Sequence, residues 1–122
     1  MADLWGYVQR TAVLPWRWGV QDCTIWVADW CVERWGIDPA ARYRGCYDSE
    51  DGALRLTAAG LVAVVEPEIP LTRKDAPGEG DIGVIEFRGQ QVSAIWSGQR
   101  WLIRTPRGVA ELRAPAIAIW GD

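Results

Sequence analysis

Apolar residues recur at two different periods along this chain, and the change falls near Gly80. Before it the spacing is helical. Asp3 to Thr11 places Leu4, Tyr7 and Val8 on one side, with Asp3 as N-cap and Pro15 as the stop. Trp16-Arg17-Trp18-Gly19 then forms a loop. Asp22 to Trp35 is the strongest helix: Asp22 caps it, Gly36 ends it and Asp38-Pro39 breaks the chain after it. At 100° per residue, Thr24, Ile25, Ala28, Cys31, Val32 and Trp35 share one broad side, expected to face the core. Asp29 and Glu33 lie opposite, and Cys23 sits at the margin of the stripe with Trp26, Val27 and Trp30. Arg42 to Tyr47 is a connector. Ser49 caps a third helix running to Leu56, with Gly60 at C′. The β-branched run Leu61 to Val65 predicts a short strand, and Pro67 to Gly80, with three Pro and two Gly, predicts a loop.

After Gly80 the period is two. Ile82 to Phe87, Val92 to Trp96, Trp101 to Thr105 and Ala116 to Trp120 read as strands, with turns at Arg88-Gly89-Gln90, Ser97-Gly98-Gln99 and Pro106-Arg107-Gly108. Helices first and an antiparallel meander second define an α+β domain, N-terminal helices packed on a C-terminal sheet. The 122 residues make one domain, 1–122. The run Leu61–Val65 is far short of the roughly 20 apolar residues of a membrane span. Met1 to Trp5 has neither the basic flank nor the apolar stretch of a signal peptide, so synthesis in the cytoplasm is expected.

Composition narrows the chemistry. A net charge of −3 has the wrong sign for general nucleic-acid binding. Arg100, Arg104, Arg107 and Arg113 gather near the C-terminus and read as solvated arginines. The chain has nine Trp, one Phe and no His, which excludes an in-chain imidazole base and histidine metal sites. Cys23, Cys31 and Cys46 form no C-x-x-C pair. On one helix Cys23 and Cys31 stand about 12 Å apart at 1.5 Å per residue, too far to bridge. All three read as reduced thiols, with no metal and no cofactor expected.

Gly19-Val20-Gln21-Asp22-Cys23-Thr24 places a cysteine in the first turn of the best helix. Unpaired N–H groups and the helix dipole favour a thiolate there. The competing reading, a small apolar residue packed at a helix start, is the one local sequence favours. Trp16, Arg17 and Trp18 precede it. Two readings stand level for the tryptophans: a groove that stacks sugars or grips peptides, or core filler in a chain with one Phe. Arg17 either binds a carboxylate or, as the simpler reading, pairs at the surface. Trp35, Trp101 and Trp120 fall at buried periods. The Arg42–Tyr47 connector reads equally as a docking surface or as Tyr rings packed on the helices.

Asp22-Cys23-Thr24, with Val27 after it, resembles the D-C-S-G-x-V opening of NlpC/p60 cell-wall peptidases, small papain-like cysteine enzymes that cut peptide bonds in peptidoglycan. Pro77-Gly78-Glu79-Gly80-Asp81-Ile82-Gly83-Val84 resembles their P-G-D-hydrophobic lead into the first core strand. Trp18 to Cys23 is similar to the W-G-x-D-C start of small phage-tail and prophage members, with one residue more. The resemblance spans Trp16 to Trp120. It implies a papain-like fold with Cys23 as nucleophile and Asp22 as its neighbour. It places the family's histidine on Gln91 or Val92, neither of which is a base. The residue that orients the histidine would fall within Trp101–Arg104, which offers no carboxylate or amide. A missing base removes about 10²–10⁴-fold of rate, and a thiol of pKa about 8.5 is only a few per cent thiolate at neutral pH.

The expectation is therefore a phage- or prophage-encoded, degenerate NlpC/p60-like domain. It would act by binding or assembly with other tail or virion proteins, with peptidoglycan as a further candidate partner, in the virion tail or in the host cytoplasm before assembly. Two rivals stand beside it: an active peptidase or amidase on peptidoglycan peptides with Cys23 as nucleophile, and a purely structural tail or adaptor subunit.

Overall fold

Three short polar side chains start the helices. Asp3 accepts from the Gly6 N–H ahead of α1 (Leu4–Ala12), Asp22 from the Thr24 and Ile25 N–H groups ahead of α2 (Cys23–Trp35), and Ser49 from the Gly52 N–H ahead of α3 (Glu50–Leu56). Each satisfies donors that a first helical turn leaves without partners. Gly36 ends α2 at φ 70°, a left-handed conformation in which a Cβ is strained. The computed structural model describes residues 2–122. Among them no helix is long and apolar enough to cross a membrane.

The alternating half of the chain forms the sheet. Strands β1 (Thr72–Arg73), β2 (Ile82–Phe87), β3 (Gln90–Trp96), β4 (Trp101–Thr105), β5 (Gly108–Leu112) and β6 (Ala116–Gly121) lie in the order β1-β6-β2-β3-β4-β5. Every pairing is antiparallel. β6 does not continue the meander; it returns to pair with β2, Ile82 opposite Trp120. One face of the sheet presents Val84, Ile95, Leu102 and Trp120 to Tyr7, Trp26, Val27 and Trp30 of the helices. Ile85, Ala94, Trp101, Ile103 and Ile119 form a second cluster, joined by Phe87, Val92 and Trp96. The architecture is α+β, short helices leading into a six-stranded antiparallel sheet.

Four details depart from the pattern reading. Leu61–Val65 is a helix, α4, not a strand. Leu61 is buried and Val62 and Val65 pack beside it while Ala63 is exposed, so helical spacing on the core overrides the β-branched propensity of the run. Gly60 is the N-cap of α4 rather than the C′ residue of α3, whose C-cap is Thr57. The segment after Pro67 is not wholly loop: Pro67 lies in a 3-10 turn, Glu66–Glu68, and Thr72–Arg73 pairs with β6. Finally, Gly108–Leu112 is a strand that the pattern did not reveal.

The buried side of α2 is also rotated from the expected one. Trp26 and Trp30, read as marginal, are completely buried, whereas Val32 is 44% exposed and Trp35 half-buried. Both indoles find partners inside: Trp26 Nε1 donates to Thr11 Oγ1 at 2.7 Å and Trp30 Nε1 to the Gly80 carbonyl at 2.8 Å. The helix is covered on two sides, by the sheet and by the connector around Ala40, so a single-stripe wheel centres the buried arc wrongly. Val32→Ser is accordingly expected to change the urea unfolding free energy by less than about 0.5 kcal/mol. A loss of several kcal/mol would restore the original stripe.

Candidate functional site

The site forms where the start of α2 meets β3. Asp22 is buried, and its carboxylate accepts from four donors: the N–H groups of Gly19 (2.8 Å), Thr24 (3.1 Å) and Ile25 (2.9 Å), and the Tyr47 hydroxyl (2.5 Å). Asp22 thus ties the Trp18–Gly19 loop and the Tyr47 connector to the helix start. The next residue, Cys23, is half-buried. Its Sγ lies 3.9 Å from Thr24 Oγ1, which in turn shares a hydrogen bond of 3.1 Å with Ser93 Oγ on β3.

These neighbours set the state of the thiol. Burial, and after it the charge of Asp22, pushes Cys23 up to about 11, while the Thr24 hydrogen bond pulls weakly the other way. The helix start that favours a thiolate is already occupied by a resident carboxylate, whose charge opposes a second anion beside it. Burial first, then the bond to Asp22, also raises the Tyr47 phenol above its ordinary range.

Ser93 was not among the residues singled out from sequence. Side chains alternate along β3, so Gln91, Ser93 and Ile95 share one face. Gln91 is exposed at the strand's start, with its Oε1 accepting from the Val62 N–H at 3.3 Å. Val92 packs with the second cluster, on the other face. Of the strand, Ser93 is the residue whose side chain meets the start of α2.

Beside Cys23 lies a partly open cavity of about 190 Å³, bordered by α2, α3, α4 and the β2–β3 hairpin. Trp18, Tyr43 and Tyr47 border it together with Cys23, Thr24 and Ser93. Trp16 and Trp18 meet edge to face, centroids 5.1 Å apart. Trp16 faces the Arg104 guanidinium, 5.9 Å from its centroid, and Arg17 is exposed. Of the three loop residues, only Trp18 therefore reaches the cavity. Arg104 is not a solvated arginine: it is buried and donates to the carbonyls of Leu14 and Thr105, pinning the same loop from below. Arg44, in the connector, pairs with Asp29 at 2.7 Å and Asp38 at 2.9 Å. Asp81, from the Pro77–Val84 motif, is buried and accepts from the Gly78 N–H at 2.8 Å and from Lys74 at 2.5 Å, which fixes the lead into β2.

Among the described residues, no cluster of three or more His, Cys, Asp or Glu side chains suits a metal ion. Chemically the site offers a protonated thiol, the Thr24 and Ser93 hydroxyls next to it and a mainly apolar recess. Fold and site together define an α+β domain with a capped, neutral cysteine at a helix start, set over an antiparallel sheet. The chain belongs to the family described as a domain of unknown function, DUF6950, which matches residues 1–121. No curated protein and no solved structure matches it.

Proposed function

We propose that the protein is a degenerate, papain-like domain of the NlpC/p60 type, phage- or prophage-encoded, that serves in the tail by binding or assembly rather than turnover. One observation carries the reading: the immediate polar neighbours of Cys23 are hydroxyls and a carboxylate that is already fully engaged. A thiol at about 11 is thiolate in only about one molecule in ten thousand at pH 7. Thr24 and Ser93 can donate to a negative sulfur, but an alcohol does not take up its proton at neutral pH. Neither can they supply the proton that a leaving amine requires. The tail assignment rests on the likeness of Trp18 to Cys23 to phage-tail starts, and the papain-like type on the order of helix-borne cysteine, Gly-Asp turn and antiparallel strands.

Alkylation of the native protein by iodoacetamide across pH, each cysteine read by peptide mass, tests the reading. Cys46 is exposed and is expected to label first; Cys23 is expected to label no faster than in the denatured chain at any pH below 9. Rapid labelling of Cys23 with an apparent pKa below 8 would restore the hydrolase.

A further inference from the structure

We propose that the cavity beside Cys23 binds an uncharged, mainly aliphatic molecule carrying one carbonyl or hydroxyl group, which Thr24 and Ser93 hold. The proposal rests on the binding reading above and names the ligand class of that site.

Size comes first. A cavity of about 150 Å³ lined by aliphatic and aromatic side chains stays dry and takes up benzene. This one, at about 190 Å³, admits a molecule on the order of eight non-hydrogen atoms. Its walls include Val27, Leu61, Val64, Val65, Ile69 and Val84, which offer dispersion contacts and no hydrogen bonds.

Charge comes second. Among the described residues, no Lys or Arg borders the cavity. Its acidic members are Asp22, buried with four donors satisfied, and Glu50, exposed at the rim. An anionic ligand would lie unpaired against the Asp22 carboxylate. A cation would lose its hydration among valines and leucines for one rim carboxylate in water. Unpaired buried charge is strongly unfavourable in both cases. A neutral ligand avoids both penalties.

The polar end follows from hydroxyl stoichiometry. Thr24 and Ser93 hold two hydroxyl protons between them, and their mutual bond of 3.1 Å uses one. The protonated Cys23 thiol, 3.9 Å from Thr24 Oγ1, can donate to that oxygen rather than accept from it, which leaves the other proton for a ligand, and both residues border the cavity. One ligand carbonyl or hydroxyl oxygen satisfies that donor.

The outer wall supplies the independent observation. α3 has seven residues and buries none of their side chains, although Ala53, Leu54 and Leu56 border the cavity. Leu54 is 53% exposed and Leu56 38%. A helix shorter than about 12 residues is not stable without packing. On its inner side α3 meets the cavity where a packing partner would stand, and a bound aliphatic molecule supplies that partner.

The test uses the whole chain and three probes of matched size: 1-heptanol, hexanoate and heptylammonium. Heptanol is expected to shift the backbone amide resonances of Thr24, Val65 and Ser93 saturably. At ten times its Kd it is expected to slow amide exchange across Glu50–Leu56 about tenfold. The two ions are expected to bind at least about tenfold more weakly, because their charge finds no partner. Val64→Phe, which fills the recess, and Ala53→Met, which fills it from the exposed helix, are each expected to abolish the heptanol shifts while keeping the folded spectrum. Absence of saturable shifts, equal binding of hexanoate, or undiminished shifts in both folded variants would overturn the proposal. Failure of the proposal is separable from failure of the binding reading: slow Cys23 alkylation without heptanol binding removes only the ligand class, whereas fast alkylation removes the reading beneath it.

Discussion

Replacing Asp22 with alanine is expected to lower the unfolding free energy by about 4 kcal/mol, the largest loss anticipated from a single site around Cys23. Loss of an N-cap alone costs about 0.5–2 kcal/mol. Here the same carboxylate also receives the Gly19 N–H and the Tyr47 hydroxyl, and each buried donor left without an acceptor adds about 1–3 kcal/mol. The loop has little room to relax around the loss. Gly19 sits at φ 79°, its carbonyl accepts from the Gly45 N–H at 2.9 Å, and a Cβ on it would stand 2.2 Å from the Tyr47 carbonyl oxygen. Urea titration followed by tryptophan fluorescence measures the change, and a loss under about 1 kcal/mol would show that the four hydrogen bonds are not a locking unit. Asp22→Asn separates structure from charge. The amide oxygen still caps Thr24 and Ile25, so the expected loss is smaller, but the negative charge beside Cys23 is gone. The Cys23 thiol is therefore expected to titrate below its value of about 11, read from alkylation rate against pH.

The sequence foretold most clearly what is local. Asp3, Asp22 and Ser49 cap helices because short acceptor side chains answer donors within three residues, and no tertiary information is needed. The alternation after Gly80 likewise survives into β2, β3, β4 and β6. Non-local facts were hidden. Val62, Val64 and Val65 have strand propensity, and only the core beneath Leu61 and Val65 makes their run a helix. β5 alternates too weakly to be seen: Val109 packs toward the helices and Ala110 and Leu112 toward the second cluster, with Glu111 exposed at the sheet edge. Within the site, the cysteine was legible and its partner was not. A shift of one residue along β3 moves every side chain to the other face, so Gln91, Val92 and Ser93 are distinguishable only once the strand is paired. Tyr47 and Arg104 had no periodic signal at all; one comes from an irregular connector, and the other from a strand whose buried positions are otherwise apolar.

Raising the pH above about 9 is expected to destabilise the protein steeply, because its buried acids are of the kind that must lose a proton to become charged. Burial, then the charge of Asp38, pushes the Cys31 thiol up to about 12, and Cys23 is held near 11. Burial also raises Tyr7, whose hydroxyl donates to the Trp26 carbonyl, and Tyr47. In the unfolded chain the thiols ionise near about 8.5. Between that value and the folded one, the unfolded state binds fewer protons than the native state, so the unfolding free energy falls as pH rises. The stabilisation is complete below about 8.5 and is lost progressively as pH climbs through the folded values. Each unit of separation corresponds to about 1.4 kcal/mol per group, so Cys31 alone accounts for roughly 4–5 kcal/mol by pH 12. Cys31→Ala removes that titrating group from beneath α2. It is expected to cost about 1–2 kcal/mol at pH 7, where a small cavity replaces the sulfur, and to flatten the alkaline limb. Urea midpoints from pH 7 to 11 for the two proteins decide the matter. A limb of equal slope in both would place the alkaline sensitivity elsewhere. A wild-type curve that stays level to pH 10.5 would mean that water reaches these thiols in the folded state.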